Sequence, residues 1–551
     1  MTTPANPPAA GPAEPTPAET PAQIAAPEAQ APAQPPAKEP ELPLRLAIGL
    51  CGVLLASLTA ILNEDITEIG LEDIRGALSI GNDDGTWVTA FFEAANVSTM
   101  IFAPWFGVTF TLKRFTVGAV IAMMILGFLS PLAPNLNSLY VLRVLQGVAG
   151  GCLPPMVIIV ALRYLPPKIK LYGLAGYALT ATFGPAISTP LTALWTEYVG
   201  WQMAFWQCVP LGILSCVAVY TGLPTEPSKL ERFRLFNWRG VLLGYPAVAM
   251  LVTGLLQADR LDWLNSTFIC TMFVGGTLLL VAFLVNEWFH PLPFFGLRLL
   301  RRRNFTHGLL TLAGAVIMLT GVAAIPSQFL AHIHDYRPLQ VTRLFLLVAI
   351  PLLISLPLTA ALLNIRRVDH RWVMAVGLSL MISTFLMGSF MDSEWVRENF
   401  YLLQSLQILA QPMVIIGILM GVTTGLPPTE GPFASAMFNT VKTFAAAVAT
   451  AILQGVGTAR EHFHSSMLVD RLGNTPLVER LGNNPFAGGQ SIGKEHDLGE
   501  LAQRIHEQAV VLTSADLYLV MAGIAVALLL VDIFLPVRIY PPWSTTPPPS
   551  R

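Results

Sequence analysis

Arg143 and Gln146 interrupt an otherwise apolar run, Leu139 to Gly151, that closes with Gly147, Gly150 and Gly151. Ionisable side chains are costly in hydrocarbon and persist there mainly where they face a helix-bundle interior or a wet cavity. A spacing of three places both residues on one helical face. There Arg143 would hold a proton-accepting carboxylate or a water network; the competing reading is that it snorkels to the headgroups. The glycines let a second helix approach closely. Glu93 lies in Phe91-Phe92-Glu93-Ala94-Ala95-Asn96, where it either exchanges a proton or pairs structurally with Asn96. A third group of acids closes the first apolar run, Leu62-Asn63-Glu64-Asp65-Ile66-Thr67-Glu68. On a helix Glu64 and Asp65 stand roughly 100° and 200° around from Asn63. Glu68, Glu72 and Asp73 read more simply as a solvated cap.

Other chemistries find no footing. There is no Walker sequence and no Gly-x-Ser-x-Gly, so neither ATP drive nor hydrolase chemistry is expected. Cys51, Cys152, Cys208, Cys216 and Cys270 are odd in number and sit in apolar stretches, which suits core packing rather than a disulfide framework or metal site. His332-Ile333-His334 and His462-Phe463-His464 read as outer loops, because no Cys/Asp/Glu spacing completes a metal site. No cofactor or metal is expected. A net charge of −2 gives no electrostatic reason to expect a nucleic-acid partner.

The elements that must position these residues are spanning helices. The 551 residues are 53% hydrophobic and 12% charged, with mean hydropathy +0.59; soluble domains carry roughly 25% charged residues. The sequence predicts an all-α polytopic membrane protein of about fourteen spans, from 44–64 through 86–107, 138–162 and 171–194 to 433–457 and 514–535. A Pro/Ala-rich segment, 1–43, reads as a disordered tail rather than a signal peptide. The organisation expected is a six-helix bundle over 44–222, two inserted helices over 223–290, a second six-helix bundle over 291–535 carrying a long outer segment at 458–512, and a tail at 536–551. Basic residues concentrate in alternate short loops: Lys113 and Arg114; Arg163, Lys168 and Lys170; Arg298 to Arg303; Arg366, Arg367 and Arg371. The positive-inside rule makes that side cytoplasmic, with both termini. The turn 366–371 occupies in the second half the place of Lys113-Arg114 in the first, as a pseudo-symmetric transporter would show.

Arg143-x-x-Gln146-Gly147 resembles the fourth-helix motif of the major facilitator superfamily. Gly184-Pro185 with Pro190 resembles that superfamily's antiporter motif. Gly85-Thr86-Trp87-Val88, Val209-Pro210-Leu211-Gly212, Arg303-Asn304-Phe305-Thr306 and Gly425-Leu426-Pro427-Pro428 resemble the EmrB/QacA group of drug/proton antiporters, from about Leu44 to Leu535. The resemblance implies the major facilitator fold with two added helices. It implies a proton-coupling role for Arg143, Glu93, Asp65, Glu64 and Asn63, and a gating role for Gln146, Gly147, Gly151, Gly184, Pro185 and Pro190. In the second half Asn439 and Lys442 match the group's Asn-x-x-Arg pattern with Lys for Arg, and Gln407 takes the place of Gln146. Three departures stand out. Asn63 is neutral where the group has an aspartate, the 107–114 loop lacks its aspartate, and Thr189 and Thr192-Ala193 replace glycines.

The function so implied is proton-driven export of amphipathic toxic compounds across a bacterial inner membrane by alternating access. An EmrA-like periplasmic adaptor and a TolC-like outer-membrane channel would be its partners, and the proton gradient its energy source. A rival of the same class is an exporter of one endogenous product, such as a siderophore or fatty acid. A polytopic enzyme or sensor would need a catalytic cluster or a signalling domain, and the sequence offers neither.

Overall fold

The computed structural model describes residues 43–473, 491–534, 538, 539 and 541, with backbone alone over 491–499. The expected 1–43 and 536–551 tails lie almost wholly outside those residues, as does the part 474–490 of the outer segment expected at 458–512. Among the described residues the regular structure is helical. We number the long helices α1 (Leu44–Ile69), α2 (Asn82–Met100, resuming as Ala103–Phe110), α3 (Leu112–Leu129), α4 (Leu136–Gly151, resuming as Pro154–Tyr164) and α5 (Lys170–Tyr198). They continue as α6 (Cys208–Gly222), α7 (Trp238–Gln257), α8 (Thr267–Phe289), α9 (Arg303–His334) and α10 (Pro338–Leu363). The last four are α11 (His370–Gly388), α12 (Phe400–Thr423), α13 (Gly431–Gly473) and α14 (Ser491–Phe534).

Twelve of these have the length and apolar composition of membrane spans; α2 and α5 fall outside that criterion, an outcome compatible with fourteen. The breaks have a local cause. Pro104 and the pair Pro154-Pro155 stand in the first turns of the resumed segments, where a missing amide hydrogen costs least. By contrast α5 runs unbroken through Pro185 and Pro190. Thr182, Ser188 and Thr192 hydroxyls donate to the carbonyls four residues earlier, at 2.8–3.0 Å.

Two sets of six helices carry the core. In the first, α1 packs against α5 and α6, and α2 against α4; in the second, α9 packs against α12, α13 and α14, and α11 against α12 and α14. The two sets meet along α5 and α10, and along α13 with α2 and α4. The inserted α7 and α8 pair with each other, α7 lying against α2 and α13. Near the end that bears the basic loops the sets are pinned together. Ser435 Oγ donates to the Pro155 carbonyl at 2.6 Å, Tyr177 Oη to Asn439 Oδ1 at 2.8 Å, and Asn364 Nδ2 to the Lys168 carbonyl at 3.3 Å.

The helices α13 and α14 do not stop at the membrane. At 43 and 44 residues each is about 65 Å long at 1.5 Å per residue, twice the roughly 30 Å of hydrocarbon. The spans read at 433–457 and 514–535 are therefore only the apolar parts of longer helices. Arg460 and His464 both reach Asp516 at 2.7 Å, and His506 reaches Glu461 at 3.0 Å, tying the pair at and beyond the edge of the apolar spans. Both His-x-His pairs, expected in loops, lie on helices, at the end of α9 and along α13. No group of three metal-capable side chains occurs among the described residues.

Candidate functional site

Arg143 is 1% exposed and does not snorkel. Its guanidinium donates through Nη1 to Gln146 Oε1 at 2.9 Å and, at the long distance of 3.5 Å, to Asn63 Oδ1; Nε donates to the Val88 carbonyl at 3.2 Å. It also lies 4.1 Å from the centre of the Phe92 ring. A desolvated cation over an aromatic face gains on the order of 2 kcal/mol, and hydrogen bonds to charged groups about 1.5–3 kcal/mol each. These contacts offset burial of a cation that has no carboxylate within ion-pairing distance among the described residues. The close approach that allows this comes from α4. A Cβ on Gly147 would collide with the Phe92 carbonyl oxygen, and one on Gly151 with that of Asn96. Both glycines are thus required by the α2–α4 contact.

Asn63 is buried against Arg143, and the negative charge appears one residue later. Glu64 Oε2 accepts from Asn96 Nδ2 at 2.9 Å, so Asn96 pairs with α1 and not with Glu93. Asp65 Oδ2 accepts from Ser188 Oγ at 3.1 Å, joining α1 to α5. On α1 Asn63 is buried, Glu64 and Asp65 half-buried and Glu68 exposed, with Ile66 and Thr67 buried between them. Glu93 is half-buried on α2. It lies close enough to Glu64, Asp65 and Glu68 to feel their charges. Lys442 comes from the second set. It is half-buried, 6.0 Å from the Tyr177 ring centre, and faces the fields of Glu64 and Asp65. Asn439, one turn before it, is buried between Tyr177 and the Ser435 carbonyl, to which it donates at 2.9 Å.

The remaining motif residues are structural by position. Gly184 is where α5 crosses Ile61 of α1, while Pro185 is exposed and Pro190 half-buried. Gln407 is buried and donates to Thr384 Oγ1 at 3.0 Å, away from the acidic group. Sequence reading passed over Tyr177 and Ser188, uncharged residues whose partners are distant in the chain. It also passed over two buried acids outside this site. Glu287 is 2% exposed and accepts from the Phe294 and Phe295 amides and Asn237 Nδ2 at 2.5–2.9 Å, fixing the α7–α8 pair. Asp532, also 2% exposed, stands 3.9 Å from His307. A carboxylate within an apolar run was the available signal for both.

A helical membrane protein with two packed sets of six helices and charged side chains converging where they meet has the architecture of a secondary transporter. The chain belongs to the Major Facilitator Superfamily, whose family model matches residues 53–366. It is 25% identical over 481 residues to the multidrug export protein EmrB of Escherichia coli (strain K12), covering 86% of this chain and 92% of the relative. It is 22% identical over 423 residues to the uncharacterized MFS-type transporter YhcA of Bacillus subtilis (strain 168), covering 76% and 78%. In fold it is similar to a bacterial homolog of the human lysosomal transporter Spinster, with TM-score 0.52 and 13% identity over 90% of this chain and 98% of that one.

Proposed function

We propose that the protein exports amphipathic toxic compounds in exchange for protons, across a bacterial inner membrane with both termini in the cytoplasm. The observation that carries this reading is that Glu64 and Asp65 from one set of helices and Lys442 from the other lie within electrostatic range without touching, beside the buried Arg143. Carboxylates half-buried inside a spanning bundle can take up protons at a cost set by their surroundings, and an amphipathic cation can compete for the same charge. With the sets pinned at the basic-loop end and Glu68 exposed toward the other, the acids of α1 communicate with the outer side. Rocking of one set on the other would expose them inward. No cofactor is required, since an entering proton supplies about 2.3 kcal/mol per 100 mV. Similarity to EmrB supports drugs as the cargo.

The paired extensions of α13 and α14 project outward from the membrane, where an EmrA-like adaptor leading to a TolC-like channel would meet them. The test is dye efflux and drug susceptibility in an efflux-deficient host with and without a protonophore. Energised, protonophore-sensitive efflux is expected; susceptibility identical to the empty host for amphipathic drugs of both charges would defeat the proposal.

A further inference from the structure

Away from the polar site, an open groove of about 670 Å³ runs between α3 and α4. Gly118, Ala119 and Ala122 line it from α3, and Leu145 and Val148 from α4, with Arg114 where α3 begins. From Arg114 to Leu126, the span of α3 in the lining, is about 18 Å of helix. One leaflet of hydrocarbon is about 15 Å. The groove thus reaches from the headgroup level of the basic-loop side to about the membrane midplane.

Its neighbours Ile121, Ile125, Phe128 and Val141 are large, apolar and 44–59% exposed, as side chains facing lipid would be. The small residues Gly118, Ala119 and Ala122 recess the surface among them. Arg114 is exposed, and its side chain has no hydrogen bond or ion pair among the described residues. Lys113, by contrast, is occupied with Thr225 Oγ1 at 3.3 Å and the Tyr220 ring at 4.4 Å. Among the described residues no carboxylate lines the groove.

We propose that this groove binds an anionic phospholipid, one acyl chain lying along Gly118, Ala119 and Ala122 and the phosphate on the Arg114 guanidinium. The planar guanidinium matches phosphate oxygens with two parallel hydrogen bonds. A juxtamembrane basic residue favours anionic over zwitterionic lipid by about 1 kcal/mol, or about fivefold. An amphipathic cation is disfavoured by the same charge, so the groove is distinct from the acidic site between the two sets.

Native mass spectrometry of the full-length protein in detergent, titrated with dioleoyl phosphatidylglycerol or dioleoyl phosphatidylcholine, tests this. One phosphatidylglycerol should bind in about fivefold preference to phosphatidylcholine. Gly118→Leu should fill the groove and remove that bound lipid. A Cβ at Gly118 meets no atom within 4 Å, so its melting temperature should match the parent. Arg114→Gln should bring phosphatidylglycerol down to the level of phosphatidylcholine. Undiminished binding by either variant, equal binding of the two lipids by the parent, or displacement of the lipid by oleate at equal concentration would each overturn the proposal.

Discussion

The two sets of helices hold their charges at different depths. In the first, Arg143, Glu64, Asp65 and Glu93 lie within the spans, and their hydrogen bonds run to neutral groups such as Asn96, Gln146 and Ser188. In the second, ionic contacts stand at the ends of the spans, at Asp369 on the basic-loop side and at Asp516 on the other. Asp369, at the start of α11, accepts from Arg371 Nη2 at 2.8 Å and stands 3.3 Å from His370, with Arg538 at 3.8 Å. Lys442 is the cation this set offers to the shared interior among the described residues. A buried charge left without an opposite charge is expensive, and a structure that merely needed stability would pair or remove it. On the proposed proton coupling, the first set is therefore where proton binding is to be sought, while the ion pairs of the second tie the ends of its helices.

The largest effect that would break this contrast is at Arg143. Arg143→Ala should reach the membrane at near wild-type abundance, with dye efflux falling to the level of the empty host. Normal efflux would remove the first set from the coupling machinery.

Next comes Glu93→Gln, which mimics the protonated acid. In proteoliposomes it should abolish the response of transport to an imposed pH gradient, and Asp65→Asn should do so in part. An unchanged pH dependence would place the coupling acid elsewhere.

A smaller effect concerns the extension carried by the second set. Deleting 474–494 should leave proteoliposome transport intact while lowering drug resistance in cells and recovery of the adaptor on affinity capture. Lost transport in liposomes, or undiminished resistance, counts against a docking role.

The contrast sharpens further at Asp369. Burial pushes its carboxyl up, but the hydrogen bonds from His370 and Arg371 outweigh burial and hold it well below the usual carboxylate range. A depressed value means that its stabilisation is full above the unfolded value of about 3.9 and is lost as pH falls below it. Asp369→Asn keeps a competent helix N-cap but loses the charge paired with Arg371, and should lower the stability of the detergent-solubilised protein at pH 7 by about 0.2–1 kcal/mol. The deficit should shrink toward pH 3, with transport retained. A deficit independent of pH would refute the ionic account.

Least of all, Tyr177→Phe removes one hydrogen bond between the sets, worth about 1 kcal/mol. It should raise labelling of a cysteine placed at the basic-loop end about fivefold. No change would mean that the bond is not part of the closure.

Much of this was legible in the sequence, for reasons that differ by element. Apolar runs marked most of the spans, but 86–107 and 138–162 were read through without the breaks that the structure places at Pro104 and Pro154. The outward run of α13 was not legible. Arg460, Glu461, His462 and His464 look like a loop when hydropathy is the guide, yet a helix in water needs only partners such as Asp516. Hydropathy marks the edge of the membrane, not the end of a helix. Arg143 was conspicuous because a charge in an apolar run has few explanations. Pairing of Asn96 with its near neighbour Glu93 was one of two readings left open, but its side chain turns toward α1 and meets Glu64, 32 residues away. Tyr177 carries no such signal: its partner Asn439 is 262 residues distant, and an uncharged hydroxyl is unremarkable in any helix.

The length of α13 has a mechanical consequence. One continuous helix contains Asn439 and Lys442 near the junction of the two sets, and runs on to Arg460 and beyond. From Lys442 to Gly473 is about 46 Å of uninterrupted helix, clamped to α14 through Asp516. A stiff pair of rods of that reach acts as a lever with its short arm in the membrane. A tilt of about 10° at the junction, small for a rocking transporter, sweeps the far end through about 8 Å at that reach. Under the proposed rocking, whatever is attached there would be moved once per cycle, and the motion of the helices inside the bilayer would be passed on beyond it.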